Sequence, residues 1–119
     1  MRDFGELKVW EKGHRLALAV YKTTGRFPRE GLYGLTSQIR GSCVSVPANI
    51  AEGCGGNADI ELARFLRIAM GSAGELAYHL LLARDLTLLN ASDHERLTKE
   101  VTEIKRMLRS FTQKLPADG

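Results

Sequence analysis

Residues 92–115, SDHERLTKEVTEIKRMLRSFTQKL, have the pattern of a helix with one apolar side. Its apolar residues follow one another at spacings of four and three positions: Leu97, Val101, Ile104, Leu108, Phe111 and Leu115. Such a heptad seam packs against other helices. Ser92 and Glu95 match a capping box at the start of the helix, and Pro116 suits its end. The pattern predicts a helix over 93–115 that belongs to a bundle.

Three further segments have helical periodicity, at about 7–24, 33–53 and 58–89. The buried stripe predicted for the first comprises Val9, Leu16 and Val20. The apolar face predicted for the second comprises Leu32, Leu35, Ile39, Cys43, Val46 and Ile50. Strand signals are scarce, because the chain has no alternating run of β-branched residues and no Asn-Gly hairpin. Four amphipathic helices with short connections predict an all-α fold, an up-down four-helix bundle that forms a single domain over 1–119.

Several residues inside these segments are unusual for helices. Pro47 removes a backbone hydrogen bond at a cost of about 3 kcal/mol, so we expect a kink at which the carbonyl of Cys43 finds another partner. The glycines of GCGG, residues 53–56, predict the end of the second helix, and Asn90 predicts a left-handed stop for the third. The small residues GSAG at 71–74 predict a close crossing by another helix.

Charge is distributed unevenly along the 119 residues. The 17 Lys and Arg and 14 Asp and Glu give a formal net charge of +3, too small for a histone-like tail. Residues 31–83 carry only seven of these 31 charges. Uncharged polar residues occur there instead: Thr36, Ser37, Ser42, Ser45 and Asn49. Because polar but uncharged surface suits burial between subunits, this charge-poor middle predicts an interface between copies of the chain.

The sequence offers no reactive centre. Cysteine and histidine are scattered, which argues against a zinc site: Cys43, Cys54, His14, His79 and His94. The glycine cluster lacks the Lys-Ser/Thr of a phosphate loop, and no nucleophile stands with a base at a telling spacing. We therefore expect no enzyme activity, metal or cofactor. The absence of a signal peptide or membrane-spanning run and the free, reduced thiols favour a cytoplasmic protein without a membrane partner.

Lys and Arg cluster in the first and fourth helices. Residues 12–29 contain five cations and no acid, and positions 105–109 of the fourth helix add three more. The candidate nucleic-acid-binding residues are Lys12, Arg15, Lys22, Arg26, Arg29, Lys105, Arg106 and Arg109. Clustered cations bind phosphate, but any soluble helix also has a solvated charged face. In one copy the solvated face is the simpler interpretation, whereas an oligomer would repeat the cluster as a ring.

Three stretches resemble a known family: FGELKVWEKGHRLALAVYKTTGRFPREGLYGLTSQIR (4–40), SVPANIAEG (45–53) and RFLRIAMGSAGEL (64–76). They are similar to the bacterial four-helix bundle family named after 23S rRNA intervening sequences, over about residues 4–110. The accessory variability protein of diversity-generating retroelements looks like a distant relative. The resemblance implies a homopentameric barrel. In the retroelement protein, a basic surface of such a barrel binds nucleic acid and the reverse transcriptase. For most members of the family the biochemical role is undefined.

The family motifs also supply polar candidates for a subunit interface. The candidate motif and interface residues are Gln38, Arg40, Pro47, Asn49, Glu52, Gly53, Arg64, Ser72 and Glu75. Among them, Gln38, Arg40, Asn49 and Glu52 form either a ligand site or a polar network that fixes the register of the assembly, and we favour the network because no nucleophile accompanies them. Arg40 and Glu52 are candidates for pairing with each other across subunits, or with Glu75 and Arg64 on the third helix.

The sequence departs from the family pattern at two places. Gly41 stands where a second basic residue often follows the arginine, and CGGNAD (54–59) stands where an arginine often occurs. These losses weaken any nucleic-acid surface to which those cations belong. We expect a non-enzymatic oligomeric scaffold that binds RNA or DNA through its basic outer surface. The alternative is a scaffold that docks a protein partner and has no nucleic-acid role.

Overall fold

The computed structural model describes residues 2–29 and 33–116, with Tyr33 described by its backbone alone, so the expected core residue Leu32 lies outside them. A short 3-10 turn, Phe4–Glu6, precedes four helices in the described chain: α1 Lys8–Thr24, α2 Tyr33–Cys54, α3 Asp59–Asp85 and α4 Ala91–Lys114. No strand occurs in these parts of the chain. The all-α prediction is confirmed. Each helix packs against the next, and α4 returns to α1, in a body of 46 × 21 × 21 Å.

The predicted core faces of α2 and α4 are confirmed. The four central residues of the heptad seam are at most 1% exposed: Leu97, Val101, Ile104 and Leu108. Their counterparts on α2 are fully buried: Ile39, Cys43, Val46 and Ile50. Phe111 and Leu115 pack at the edge of this core and are only partly buried. The core therefore runs along the middle of the bundle and tapers toward the end of α4.

The connection between α3 and α4 differs from the prediction. Helix α3 ends at Asp85, because Thr87 adopts a left-handed conformation with φ of 63°. The N–H of Thr87 donates to the carbonyl of Arg84 at 2.9 Å, and the following residue reaches the carbonyl of Ala83, also at 2.9 Å. This pattern is a Schellman motif, and it satisfies carbonyls that the helix end would leave open. The expectation that Asn90 stops α3 was therefore wrong.

Asn90 begins α4 instead. Its Oδ1 accepts a hydrogen bond from the backbone N–H of Asp93 at 2.7 Å, which is the bond of an N-cap. Ser92 already lies inside the helix, which starts at Ala91. The predicted capping box of Ser92 and Glu95 was therefore wrong, since an N-cap two positions earlier satisfies the first turn.

Close helix crossings occur at other glycines than those expected. A Cβ on Gly13 of α1 would lie 3.5–3.6 Å from Val46 and Pro47 of α2, and Pro47 is buried in this crossing. A Cβ on Gly53 would lie 2.9 Å from the Cβ of Phe65 on α3. In contrast, a Cβ on Gly71 would meet nothing within 4 Å. Gly71 is therefore not a point of close approach within the subunit, although its neighbour Ser72 contacts α2 and Ala73 is buried.

The N-terminal segment crosses one end of the bundle. The N–H of Arg2 donates to the carbonyl of Cys54 at 2.9 Å, and its guanidinium lies 3.4 Å from Asp59. The same guanidinium lies over the ring of Phe111, 5.8 Å from its centroid. One residue thus contacts the end of α2, the start of α3 and the last part of α4.

Candidate nucleic-acid interface

The cations in the first half of α1 have carboxylate partners. The Nζ of Lys12 lies 3.2 Å from Glu103 and 4.0 Å from Glu100, both on α4. Arg15 lies 3.0 Å from Glu11, one turn earlier on its own helix. The sequence interval 12–29 contains no acid, but folding places acids from outside it beside these two cations. Lys12 and Arg15 are therefore less suited to binding phosphate than the sequence alone indicates.

The cations at the end of α1 differ from Lys12 and Arg15 in their surroundings. Lys22 lies in the last turn of α1, and Arg26 and Arg29 lie in the segment that follows. All three are exposed, and none forms an ion pair with another described residue. We call Lys22, Arg26 and Arg29 the α1-end cluster. Its charge is available to an anion that approaches from solvent.

The three candidate cations of α4 form a separate cluster. Lys105, Arg106 and Arg109 are exposed and lie in the second half of the helix. Because Lys12 pairs with Glu103, this half of α4 runs beside the beginning of α1. The α1-end cluster lies toward the opposite end of the bundle. The eight candidate cations therefore do not merge into one patch on a single subunit.

Two polar residues of the family motif connect α2 to α3. The hydroxyls of Ser45 and Ser72 lie 2.7 Å apart. The amide of Asn49 donates to the carbonyl of Ser45 at 2.8 Å and to its hydroxyl at 2.9 Å. A second bridge joins Ser42 to His79 at 3.4 Å. Of the residues expected to fix the assembly register, Asn49 therefore supports a link between two helices of one subunit.

Arg40 faces α1 rather than α3. Its Nε donates to the hydroxyl of Thr24 at 2.9 Å, and its Nη2 reaches the carbonyl of Tyr21 at 3.4 Å. The guanidinium also lies over the Tyr21 ring, 4.6 Å from its centroid. The expected pairing of Arg40 with α3 was therefore wrong within the subunit. Arg64 instead pairs with Glu61 at 3.1 Å, and pairing between subunits stays a prediction.

The outward side of α2 is nearly free of charge. Gln38, Gly41, Val44 and Ala48 are exposed along it, and Glu52 is the first carboxylate. Val44 is 41% exposed, and a Cβ on Gly41 would meet nothing within 4 Å. We call Gln38, Gly41, Val44 and Ala48 the α2 face. Folding buries Ser42 and half-buries Ser45 and Asn49, so the α2 face is narrower than the charge-poor middle of the sequence.

The described residues offer little to a reaction. Cys43 and Cys54 are buried free thiols, and desolvation raises the pKa of both, that of Cys43 to about 11. They are protonated and unreactive near neutral pH. No group of three or more His, Cys, Asp or Glu in the described chain could hold a metal ion. None of its helices is long and apolar enough to cross a membrane.

Comparison with known proteins identifies the family. The family model described as "23S rRNA-intervening sequence protein" matches residues 5–110. The chain belongs to this family. All the candidate cations and motif residues lie inside the matched span, so the resemblance inferred from the sequence is confirmed. No curated protein matches the chain.

A solved structure supports the fold of this 23S rRNA-intervening sequence protein family member. It is the crystal structure of a protein of unknown function from the S23 ribosomal protein family of Bacteroides thetaiotaomicron. The chain is similar to it with a TM-score of 0.81 and 26% identity, over 89% of this chain and 99% of that one. This likeness supports the fold and does not identify a function.

Proposed function

We propose that this protein is a non-enzymatic scaffold that assembles with copies of itself and binds nucleic acid through the α1-end cluster. The observation that carries the proposal is the contrast between two groups of cations on one segment. Lys12 and Arg15 are balanced by nearby carboxylates, whereas Lys22, Arg26 and Arg29 have no such partner in the described chain. Unbalanced, exposed Lys and Arg are the groups that replace counterions along a phosphate backbone.

Assembly would increase this effect. Three cations on a single subunit are a small charge, but a homopentamer repeats them in a ring and binds one strand at several places. The pentamer follows from the family resemblance. The α2 face supports self-association, because an exposed helix side without charge loses little solvation when it is covered. Leu18 on the neighbouring α1 is 58% exposed and extends the apolar surface.

The nucleic-acid part of the proposal is tested by fluorescence anisotropy. Labelled RNA and DNA would be titrated at about 50 mM and 200 mM salt, because phosphate contacts weaken steeply over this range. We expect a triple variant, Lys22→Gln, Arg26→Gln and Arg29→Gln, to lower affinity and to flatten the salt dependence. The matched control is Lys12→Gln with Arg15→Gln, which removes paired cations and should change affinity little. Equal losses in the two variants, or binding that ignores salt, contradict the proposal.

The assembly part is tested by light scattering of the purified protein. We expect a wild-type mass near five times that of the chain, and a smaller mass for Val44→Glu or Ala48→Glu, which place a charge on the α2 face. Thr102→Glu, at an exposed position of α4, is the control and should leave the mass unchanged. A monomeric wild-type protein, or an assembly that tolerates both α2 variants, overturns this part.

A protein-docking scaffold is the second candidate. Large apolar side chains on α3 favour it, since Ile60, Ile68 and Tyr78 are 52%, 41% and 59% exposed. Exposed apolar side chains are typical of surfaces that contact other proteins. The anisotropy experiment separates the two functions, because a protein that binds neither RNA nor DNA at low salt retains only the docking role.

A further inference from the structure

A groove of about 770 Å³ lies where the end of α1 meets the first half of α2. Its described lining includes Arg29 and Arg40, the hydroxyl residues Thr36 and Ser37, and the apolar surfaces of Tyr21 and Pro28. A volume of this size is within the range of small-molecule sites. The groove combines cations, hydroxyl donors and an aromatic ring within one concave surface.

Charge balance distinguishes this groove from four other grooves on the described surface. The groove between α1 and α4 contains Lys12 together with Glu100, and the one beside the α3–α4 connection contains Lys99 together with Glu95. The two pockets lined by Arg2 each include an aspartate. The groove at the end of α1 has two arginines and no carboxylate among its described lining residues. An anion that enters it meets positive charge that no described neighbour neutralises.

Arg40 is held in place by contacts with α1. A guanidinium has five N–H donors, and Arg40 uses two of them on Thr24 and on the carbonyl of Tyr21. The ring of Tyr21 supports the same guanidinium at 4.6 Å. Three donors remain for a ligand, and the side chain loses little freedom when it uses them. A planar guanidinium with free donors matches two oxygens of a phosphate group.

The uncharged residues of the lining match parts of a ligand other than its phosphate. Tyr21 is 44% exposed and, with Pro28, forms an apolar side of the groove. Aromatic side chains of this kind stack on nucleic-acid bases. The hydroxyls of Thr36 and Ser37 line the same groove and suit the polar atoms of a sugar or a phosphate. The lining therefore matches the separate parts of one nucleotide.

We infer that this groove binds a single nucleotide, with its phosphate at Arg29 and Arg40 and its base against Tyr21. The inference rests on the proposed function, because a bound strand would supply such a unit, and it adds a defined subsite to the α1-end cluster. The same chemistry is present in a free nucleoside monophosphate and at the 5′-phosphorylated end of a strand, so both are used as probes.

Isothermal titration calorimetry tests the subsite with AMP, adenosine and inorganic phosphate. We expect AMP to bind more tightly than either of its parts. Arg29→Gln and Arg40→Lys should each weaken AMP binding about tenfold or more, because each removes charge-assisted hydrogen bonds to phosphate. Tyr21→Leu should weaken AMP binding and leave phosphate binding unchanged. Arg67→Gln, at an exposed position of α3, is the matched control and should have no effect.

Short oligonucleotides distinguish the two sources of the nucleotide. Tighter binding of a 5′-phosphorylated tetranucleotide than of its 5′-hydroxyl form assigns the groove to a strand end, and binding of AMP alone assigns it to a free nucleotide. Three results overturn the inference: no binding of AMP, equal binding of AMP and adenosine, or equal losses in Arg29→Gln and Arg67→Gln. If AMP fails to bind while anisotropy still detects RNA or DNA, the subsite is wrong and the proposed function stands.

Discussion

Gly53 of α2 lies so close to Phe65 of α3 that a Cβ built on the glycine would be 2.9 Å from the Cβ of the phenylalanine. The Cα of Leu62 would lie only 3.5 Å from the same Cβ, so backbone limits any adjustment. We predict that Gly53→Ala lowers the free energy of unfolding by about 1–3 kcal/mol, because it overpacks this crossing. Urea unfolding followed by circular dichroism measures the change, and an unaltered midpoint contradicts the close contact.

For Gly71 we predict that substitution by alanine has the opposite effect on stability. This glycine lies in the middle of α3, yet nothing would touch a Cβ there within 4 Å. Alanine is favoured over glycine inside a helix by about 1 kcal/mol, so Gly71→Ala should stabilise the protein by that amount. The same urea experiment measures it. A loss of stability would indicate that another subunit packs against Gly71 in the assembly.

The start of α4 gives a third prediction. Asn90→Ala removes the side chain that accepts from the N–H of Asp93 and should cost about 1 kcal/mol of stability. Ser92→Ala is the control, because Ser92 is exposed inside the helix. Thermal unfolding of both variants measures the difference. A larger loss for Ser92→Ala would restore the capping box that the sequence predicts.

Cys43 should make stability depend on alkaline pH. Burial raises the pKa of its thiol from 9.0 to about 11, partly offset by the charge of Arg40. The unfolded chain would therefore release this proton first as the pH rises, and stability should fall between about pH 9 and 11. Urea midpoints measured across this range check the fall. Cys43→Ala should reduce the slope, and an identical slope in both proteins would assign the effect to other groups.

The sequence predicted the features that repeat along a single helix. Spacings of three and four residues placed Ile39, Ile50, Leu97 and Leu108 in the core, and all four are fully buried or nearly so. Such spacing depends only on helix geometry, so it needs no knowledge of the partner. The family motifs likewise predicted the correct family from local residues. Local sequence patterns were therefore sufficient to predict the fold class and the core.

Contacts between helices were much harder to predict from the sequence. Lys12 pairs with Glu103, and these residues are 91 positions apart in the sequence, so only the register of α1 against α4 brings them together. Arg40 faces Thr24 rather than α3 for the same reason, because the direction of a side chain around α2 depends on how the helices pack. The groove at the end of α1 combines two helices and was not predicted. The low content of charge at 31–83 predicted a subunit interface. It did not predict which of these residues the bundle would bury and which would stay exposed.

The two ends of the bundle have different roles in this arrangement. At one end, Arg2 links the end of α2, the start of α3 and the last part of α4. At the other end, where α1 ends and α2 begins, lie the exposed cations of the α1-end cluster and the groove. The contacts that link three helices through Arg2 thus lie at one end of the 46 Å bundle, and the exposed cations and the groove lie at the other. Substitutions in the α1-end cluster or the groove can therefore change the charge and shape of that end without altering the contacts that Arg2 makes.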